Sequence, residues 1–423
     1  MTKSFDRKEL YHLSQAHHFP MATIEKTMRL LDILADINAD KELKDNLVLK
    51  GGTAINLVDQ NDIPRLSVDL DFNLSRNLPK NEMLEVKDSV YYILTQIALT
   101  QGYELIAPKP NYSILQMELY YKAATGNRDK IKLDINCLSR CHLYKHREIL
   151  VKDIFRQENE FKCIIQNEHE LYAGKLKALL ERGTVRDIFD TYMMSKKRMF
   201  ADEKDILQIQ AALVYYLSLT NGVDIEISRQ KILSKSMDDF RKFLFPMLRT
   251  GYGFVDHKDM IQKAISYVDQ FLNFTEKQAE YLQKAKNGEY HPELIFGKTT
   301  ADRIKDNPAA KFYILRQTKT MNQEKNDLQK SLQNKYKGKE IDIRSKSNLE
   351  TNGKPSGELI HFIVEGKRKT CVTDKEFGDI CICDGFYSPG SFHWPSWKTI
   401  DGKPATYTPT RVMSVEHFKK MKI

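Results

Sequence analysis

The sequence predicts an α+β fold: a small domain of strands and helices, then a helical domain, then a C-terminal section with short strand-like runs. A strictly alternating strand follows a Gly-Gly turn early in the chain, helical periodicity dominates from about residue 168 to 285, and turn residues become frequent after residue 297. We therefore expect three parts. They are an α/β domain with N-terminal helices (1–160), a helical domain (161–297), and a basic helix, a linker at 335–357 and a small domain (298–423).

The first strand and helix of the α/β domain flank two glycines. Residues 6–39 have helix-like apolar spacing, and residues 47–49 are a short apolar strand that ends at Gly51 and Gly52. The apolar run after Thr53 predicts a helix with Thr53 as its cap. Residues 65–72 then alternate strictly, so that one strand face is apolar and the other carries Ser67, Asp69 and Asp71.

The acidic face of this strand has the composition of a metal site. Two aspartates at positions i and i+2 of a strand project from the same face, and a shared divalent cation relieves their repulsion. Phosphoryl and nucleotidyl transfer require such a site, because magnesium ions neutralise charge on the phosphates. Asp134 is the candidate third carboxylate, since it alternates with apolar Leu133 and Ile135 in a predicted strand. It would complete the metal site or accept the proton of the attacking hydroxyl.

The Gly51-Gly52-Thr53 turn fits the same chemistry. Glycines let the backbone approach a triphosphate, and the helix behind them presents free N–H groups to it. A Gly-Gly turn alone is usually only a turn, and an Asp-x-Asp strand alone is usually a solvated edge. The ordered combination of strand, glycines, helix and Ser67-x-Asp69-x-Asp71 is far more specific, and it predicts nucleotide binding by Gly51, Gly52, Thr53 and Ser67.

A later helix supplies the remaining candidates. Lys175 and Arg182 share one helical stripe, and Arg186, Asp187 and Asp190 follow after Gly183. Lys175 would bind the triphosphate, and one of the aspartates would position that lysine. The alternative is a surface ion-pair network, for instance between Arg186 and Asp190.

Taken together, four segments resemble the AbiEii/AbiGii nucleotidyltransferase toxins of bacterial abortive-infection toxin–antitoxin pairs, which include the mycobacterial MenT enzymes. The segments are Lys50-Gly51-Gly52-Thr53-Ala54, Arg65-x-Ser67-x-Asp69-x-Asp71, Lys132-x-Asp134-Ile135, and Lys175-Leu176-x-Ala178-Leu179-x-x-Arg182-x-x-x-Arg186-Asp187-x-x-Asp190. The resemblance covers roughly residues 5–295. It implies a DNA polymerase β-like nucleotidyltransferase fold, a two-ion Mg²⁺ site, a nucleoside triphosphate as substrate and an antitoxin as partner.

The implied activity is addition of nucleotides to the tRNA 3′ end, which blocks translation during phage infection. Carried over residue by residue, the resemblance makes Asp69 and Asp71 the metal ligands and Lys175 the catalytic lysine. Asp190 is the later aspartate, with Asp187 as the neighbouring candidate. Thr53 stands where many nucleotidyltransferases have serine, and the section after residue 295 has no recognised family counterpart, so the target stays open.

Composition and charge limit the class of protein and the kind of partner. Hydrophobic content of 41% suits a globular protein, and no apolar run reaches the 18 residues that a membrane span needs. Six scattered cysteines and the absence of a signal-like N-terminus predict a cytoplasmic protein. From Lys298 onward there are 24 Lys and Arg against 15 Asp and Glu, which equals the whole net charge of +9. This basic section suits contact with RNA, although a solvated lysine-rich surface is an equally good interpretation.

Two other functions stay open from sequence. One is transfer of a nucleotide to a small molecule or a protein, and the other is a regulatory module that binds nucleotide without transfer. The complete set of Asp69, Asp71 and Lys175 favours an enzyme, because a purely structural role does not require it.

Overall fold

The N-terminal helices form where apolar residues recur every three or four positions, and the strands form where apolar and polar residues alternate. The computed structural model describes residues 5–58, 63–108, 111–156, 159–220, 223–250, 256–315, 335–351, 354–374, 380–385, 398–399 and 411–412. The chain divides into two units, Met1–Thr318 and Lys319–Ile423.

The first unit contains helices and a seven-stranded sheet. The helices are α1 (Arg7–His17), α2 (Met21–Ala39), α3 (Lys41–Asn46), α4 (Gly51–Val58), α5 (Lys80–Thr100), α6 (Glu168–Arg182), α7 (Val185–Lys196), α8 (Glu203–Ser218), α9 (Ile225–Leu233), α10 (Met237–Phe243), α11 (His257–Asp269), α12 (Glu276–Lys286) and α13 (Lys298–Ile304). The strands are β1 (Leu47–Lys50), β2 (Asp69–Leu74), β3 (Glu104–Leu105), β4 (Ile114–Lys122), β5 (Arg128–Asn136), β6 (Arg147–Lys152) and β7 (Glu160–Ile165).

The strand order of this sheet is β3-β4-β5-β2-β1-β7-β6. The pairs β2–β5 and β1–β7 are parallel, and the other neighbours are antiparallel. Apolar side chains of α2, α3 and α5 pack with the buried face of the sheet in one core, which includes Leu34, Val90, Leu70, Phe72 and Leu133. The predicted α+β class is therefore confirmed.

Helices α6 to α13 enclose a second core, in which Leu176, Ile188, Leu213 and Ile265 are buried. The turn between α6 and α7 is short. Gly183 takes a left-handed conformation (φ 54°) at the end of α6, and Thr184 caps α7 by accepting a hydrogen bond from the Asp187 N–H. This turn sets the relative placement of the two helices that carry the candidate lysine and aspartates.

The boundary that we predicted at residues 297/298 lies within the first unit. Ala301, Ile304 and Ile314 are buried in the core of α6 to α13, and residues 308–315 are helical. Among the described residues, no helix is long and apolar enough to span a membrane.

The second unit is an antiparallel sheet of six strands in the order β12-β11-β10-β9-β8-β13. Its strands are β8 (Ile341–Thr351), β9 (Lys354–Val364), β10 (Lys367–Asp374), β11 (Ile380–Asp384), β12 (Lys398–Thr399) and β13 (Arg411–Val412). Ile360, Phe362 and Cys371 are buried in its core. The prediction of a linker at 335–357 is wrong for residues 341–351 and 354–357, because β8 pairs with β9, which begins at Lys354; the pairing has two register shifts.

Candidate active site

The acidic side chains of β2 and β5 are brought together by strand pairing. In the parallel register Asp69 lies opposite Lys132 and Asp71 lies opposite Asp134. In the antiparallel register of β1 with β2, Lys50 lies opposite Asp71. Paired positions of neighbouring strands point to the same face. Asp69, Asp71, Asp134 and Lys50 therefore share one face, and the sequence alternation predicted this for Asp69 and Asp71. The predicted strand at 65–72 is shifted, because β2 begins at Asp69 and Ser67 lies before it.

The glycine turn packs directly against this acidic face. Gly51 has a positive φ of 74°, and a Cβ placed there would lie 2.5 Å from Asp71 Oδ2. A Cβ at Gly52 would lie 2.9 Å from Ser67 Oγ. Glycine is therefore required at Gly51 by conformation and by space. The two glycines leave their backbone at the surface formed by Ser67 and Asp71.

We expected Thr53 to cap α4. It does not, because the helix begins at Gly51. Its hydroxyl Oγ1 instead donates a 2.6 Å hydrogen bond to the backbone carbonyl of Asp69. Thr53 thus ties the glycine turn to the strand that carries the two aspartates.

The pKa of Asp71 is raised by its surroundings. Burial raises the pKa of Asp71, the Lys50 ammonium lowers it, and the carboxylates of Asp134 and Asp69 raise it further, so that the net direction is upward. Burial lowers the pKa of Lys50, and Asp71 only partly opposes this effect. A partly buried carboxylate beside two others is a position where added positive charge is favoured.

A buried ionic cluster lies beside the acidic face. Lys175 Nζ contacts Asp190 Oδ2 at 2.7 Å and Asp187 Oδ1 at 3.5 Å, with exposed side-chain fractions of 8%, 9% and 0%. Arg65 donates two 2.6 Å hydrogen bonds to Asp190, from Nε to Oδ1 and from Nη2 to Oδ2. Asp190 therefore pairs with Lys175 and Arg65 in the interior, where we had considered a surface pair between Arg186 and Asp190.

Asp187 forms the second half of the cluster. Its carboxylate accepts hydrogen bonds from Arg182 Nε at 2.7 Å, Arg182 Nη2 at 2.9 Å and Thr184 Oγ1 at 2.6 Å. Burial opposes ionisation, but Arg182 and Lys175 hold the pKa of Asp187 well below its usual range. In the same way burial opposes ionisation of Asp190, while Arg65 and Lys175 lower its pKa. Both aspartates are therefore charged at neutral pH, and they hold Lys175 between them.

Two charged residues of this cluster were not among the predicted site residues. Arg65 and Arg182 both stand inside the quoted motifs, but their partners could not be assigned from spacing. Arg182 pairs with Asp187 across the α6–α7 turn, and Arg65 reaches Asp190 across 125 positions of sequence. The available signal was Arg65 itself, an arginine shortly before the strand that carries Asp69 and Asp71.

The donor set of the acidic face fits magnesium. Among the described ranges, no three or more His, Cys, Asp or Glu side chains are arranged to hold a metal ion. Magnesium is usually bound by one or two carboxylates together with substrate phosphates, so the pair Asp69 and Asp71 satisfies this requirement. Asp134 Oδ1 accepts a 3.2 Å hydrogen bond from Gln116 Nε2 and lies one strand away.

The arrangement provides what transfer from a triphosphate needs. It has a glycine turn that a polyphosphate can approach, two carboxylates for a cation, and a lysine held by two aspartates. The Lys175 ammonium also lowers the pKa of Asp71, so cluster and acidic face lie within electrostatic reach of each other.

Comparison with known proteins gives two findings. The family model described as "Nucleotidyl transferase AbiEii toxin, Type IV TA system" matches residues 32–287. Among solved structures, MenT4, a nucleotidyltransferase toxin from Mycobacterium tuberculosis H37Rv, is similar with a TM-score of 0.49 and 13% sequence identity. That similarity covers 72% of this chain and 99% of the MenT4 chain. None of the curated proteins compared with the chain matches it.

Proposed function

Because the chain belongs to the AbiEii nucleotidyl transferase toxin family, and is thus a nucleotidyltransferase, we propose that it transfers a nucleoside monophosphate from a nucleoside triphosphate to RNA. The proposed acceptor is the tRNA 3′ end, and the consequence is a block of translation. The observation that carries this proposal is Lys175, held by Asp187 and Asp190 beside the acidic face of Asp69 and Asp71.

Each residue has a defined task in the proposed reaction. The backbone of Gly51 and Gly52 lets the triphosphate approach the acidic face, and the Lys175 ammonium binds its phosphate oxygens. The acceptor hydroxyl oxygen forms a bond to the α-phosphorus while the bond from that phosphorus to the β-phosphate bridging oxygen breaks, and pyrophosphate leaves. Asp134 accepts the proton of the attacking hydroxyl.

Asp69 and Asp71 would hold magnesium, with Asp134 as a further ligand if a second ion binds. When bound, magnesium neutralises charge on the phosphates and on the leaving pyrophosphate. The raised pKa of Asp71 and the close approach of Gly51 to its carboxylate support this assignment.

The choice of RNA rests on charge. The net charge of +9 resides after residue 297, and a basic section favours a polyanionic acceptor over a neutral small molecule. The type IV toxin–antitoxin description of the family supports an antitoxin partner, and we propose a role in abortive phage infection on the same ground.

The test is transfer of labelled nucleotide. The full chain is incubated with each α-labelled nucleoside triphosphate, Mg²⁺ and total RNA, beside the Asp69→Ala, Asp71→Ala and Lys175→Ala variants. We expect label in RNA of tRNA size with the wild type and at most a few per cent of it with either aspartate variant. Label in protein or in small molecules would show that RNA is not the acceptor. Nucleotide binding without any transfer would contradict the proposed transfer activity.

A further inference from the structure

The described helices of the first unit leave one face of β4 and β5 uncovered, and the side chains of that face are exposed or partly exposed. Residues Leu119, Tyr121, Ile131 and Leu133 are buried on the opposite face, where they join the core with α2 and α5. Lys26 of α2 contacts Asp129 on that covered side, at 3.1 Å. The uncovered face carries four cations, Lys122, Arg128, Lys130 and Lys132, which we call the cationic strip.

The strip leads to the acidic face. In the antiparallel register Lys122 lies opposite Arg128, Tyr120 opposite Lys130, and Gln116 opposite Asp134. Arg128, Lys130, Lys132 and Asp134 therefore follow one another on the same face of β5. Alternate strand positions are about 7 Å apart, so the distance from Arg128 to Asp134 is about 20 Å.

The cations of the strip are available to an anion. Lys122 and Lys132 are exposed, and Lys132 lies opposite Glu118, whose charged form it favours. Arg128 pairs with Glu104 at 2.8 Å and Lys130 pairs with Glu118 at 2.7 Å, and surface pairs of this kind are weak and exchangeable. Four cations thus face two carboxylates. The Tyr120 ring lies 4.5 Å from the Arg128 guanidinium carbon and 5.4 Å from Lys130 Nζ, which keeps both cations on this face.

We propose that the cationic strip binds the single-stranded 3′ segment of an RNA acceptor and directs its terminal hydroxyl to Asp134. This inference rests on the proposed function, and it names the surface that holds the substrate. Regularly spaced single charges with little apolar surface between them match a sugar–phosphate backbone better than a folded protein. The backbone contacts fix the position of the RNA and are indifferent to its bases.

The test compares strip variants with a lysine elsewhere in the sheet. Lys132→Ala and the double variant Lys130→Ala/Lys132→Ala are measured beside Lys162→Ala, which removes one charge from β7, where the side chain is 67% exposed. Binding of a fluorescent single-stranded RNA is followed by anisotropy from low to high salt. We expect the log–log salt slope to become shallower by about 0.7 for each lost phosphate contact, and the control to match wild type.

Kinetics supply the second readout. The double variant should raise the KM for RNA by about tenfold, while the KM for the nucleoside triphosphate stays unchanged, because each lost phosphate contact weakens RNA binding alone. If folded variants showed unchanged salt slopes and an unchanged KM for RNA, the proposal that the cationic strip binds RNA would be wrong. If the wild type labels RNA and the strip variants have the same RNA binding and the same KM for RNA, the proposed function stands and this inference fails. If the wild type labels only protein and does not bind RNA, both fail.

Discussion

Arg65 connects the three parts of the candidate site. Its guanidinium binds Asp190 through two hydrogen bonds, and a Cβ on Gly52 would lie 3.4 Å from its Nη2. Its backbone pairs with Leu248 in an isolated bridge, which anchors the segment before β2 to the helical part of the unit. Burial alone would lower the pKa of Arg65, yet Asp190 raises it, so the guanidinium remains charged. Arg65 therefore acts as a positioning residue for Asp190 and, through it, for Lys175.

Replacing Arg65 by lysine should separate this positioning from charge. Arg65→Lys keeps the positive charge but cannot form both parallel hydrogen bonds to Asp190. We expect kcat to fall by about 10- to 100-fold, as expected for misplacement of about 1 Å at a reacting centre, with little change in the far-UV circular dichroism spectrum. Arg186→Lys, at a partly exposed position of α7, is the matched control. If Arg65→Lys had the wild-type kcat, a positive charge at residue 65 would be enough to position Asp190, and the two parallel hydrogen bonds would not be needed.

Asp187 should make the free energy of unfolding depend on pH in the acidic range. Its folded pKa is depressed, so its contribution to stability is present above the unfolded value of about 3.9 and is lost as the pH falls through the folded pKa. Asp187→Asn should therefore unfold more easily than wild type at pH 7, by about 2 kcal/mol or more. The difference should shrink below about pH 4. Urea unfolding at several pH values measures it, and a difference that grows in acid would refute the assignment.

At the scale of secondary-structure elements, the turn between α6 and α7 sets the distance from Lys175 to the two aspartates. Gly183 ends α6 in a left-handed conformation, and a Cβ there would lie 3.2 Å from Ile232 Cγ1. Thr184 begins α7 one residue later and also donates to Asp187. The ends of the two helices and the ionic cluster therefore depend on the same few residues.

Gly183→Ala should disturb both stability and activity. The left-handed backbone costs a non-glycine residue about 1–2 kcal/mol, and the contact with Ile232 adds to it. We expect a lower unfolding free energy by about that amount and a reduced kcat, because Asp187 and Asp190 shift relative to Lys175. Gly174→Ala is the control within α6, since a Cβ there meets nothing within 4 Å, and it should stabilise the helix by about 0.5–1 kcal/mol. Equal stability of Gly183→Ala and wild type would contradict the role of this turn.

The elements predicted well are those whose signal is local. The alternation around Asp69 and Asp71 predicts β2 and its acidic face, and Leu133 and Ile135 predict the orientation of Asp134. Strands β6 and β7 were not predicted; they pair with each other along six positions, and β7 also pairs with β1. The Arg65–Asp190 contact was missed because no helical or strand period links residues 125 positions apart. The polar composition of residues 341–351 predicted a linker, but pairing with β9 makes them a strand.

At the scale of the whole molecule, the basic charge divides between the two units. The second unit, residues 319–423, has 19 Lys and Arg against 13 Asp and Glu. The remaining excess lies in residues 298–318, which belong to the first unit. A truncation that tests the second unit should therefore end at Thr318, because a cut at residue 297 would remove Ala301 and Ile304 from a core.

Removing the second unit should weaken RNA binding while it spares the chemistry of the site. Residues 1–318 should show a shallower salt dependence of RNA binding than the full chain, since fewer phosphate contacts release fewer counterions. The KM for the nucleoside triphosphate should not change. Salt titrations of both proteins, with folding checked by circular dichroism, measure this. Equal slopes and equal affinities would leave the second unit as a partner-binding or stabilising part.

The long sequence separation between Arg65 and Asp190 also affects when the site can assemble during synthesis of the chain. A chain leaves the ribosome from its N-terminus at about 5–20 residues per second, so roughly 6–25 seconds pass between the emergence of Arg65 and that of Asp190. Gly51, Gly52, Asp69 and Asp71 are synthesised early, whereas Lys175 emerges only 15 positions before Asp190. The ionic cluster that holds Lys175 can therefore assemble only after α7 has been synthesised, because two of its members, Asp187 and Asp190, lie in that helix.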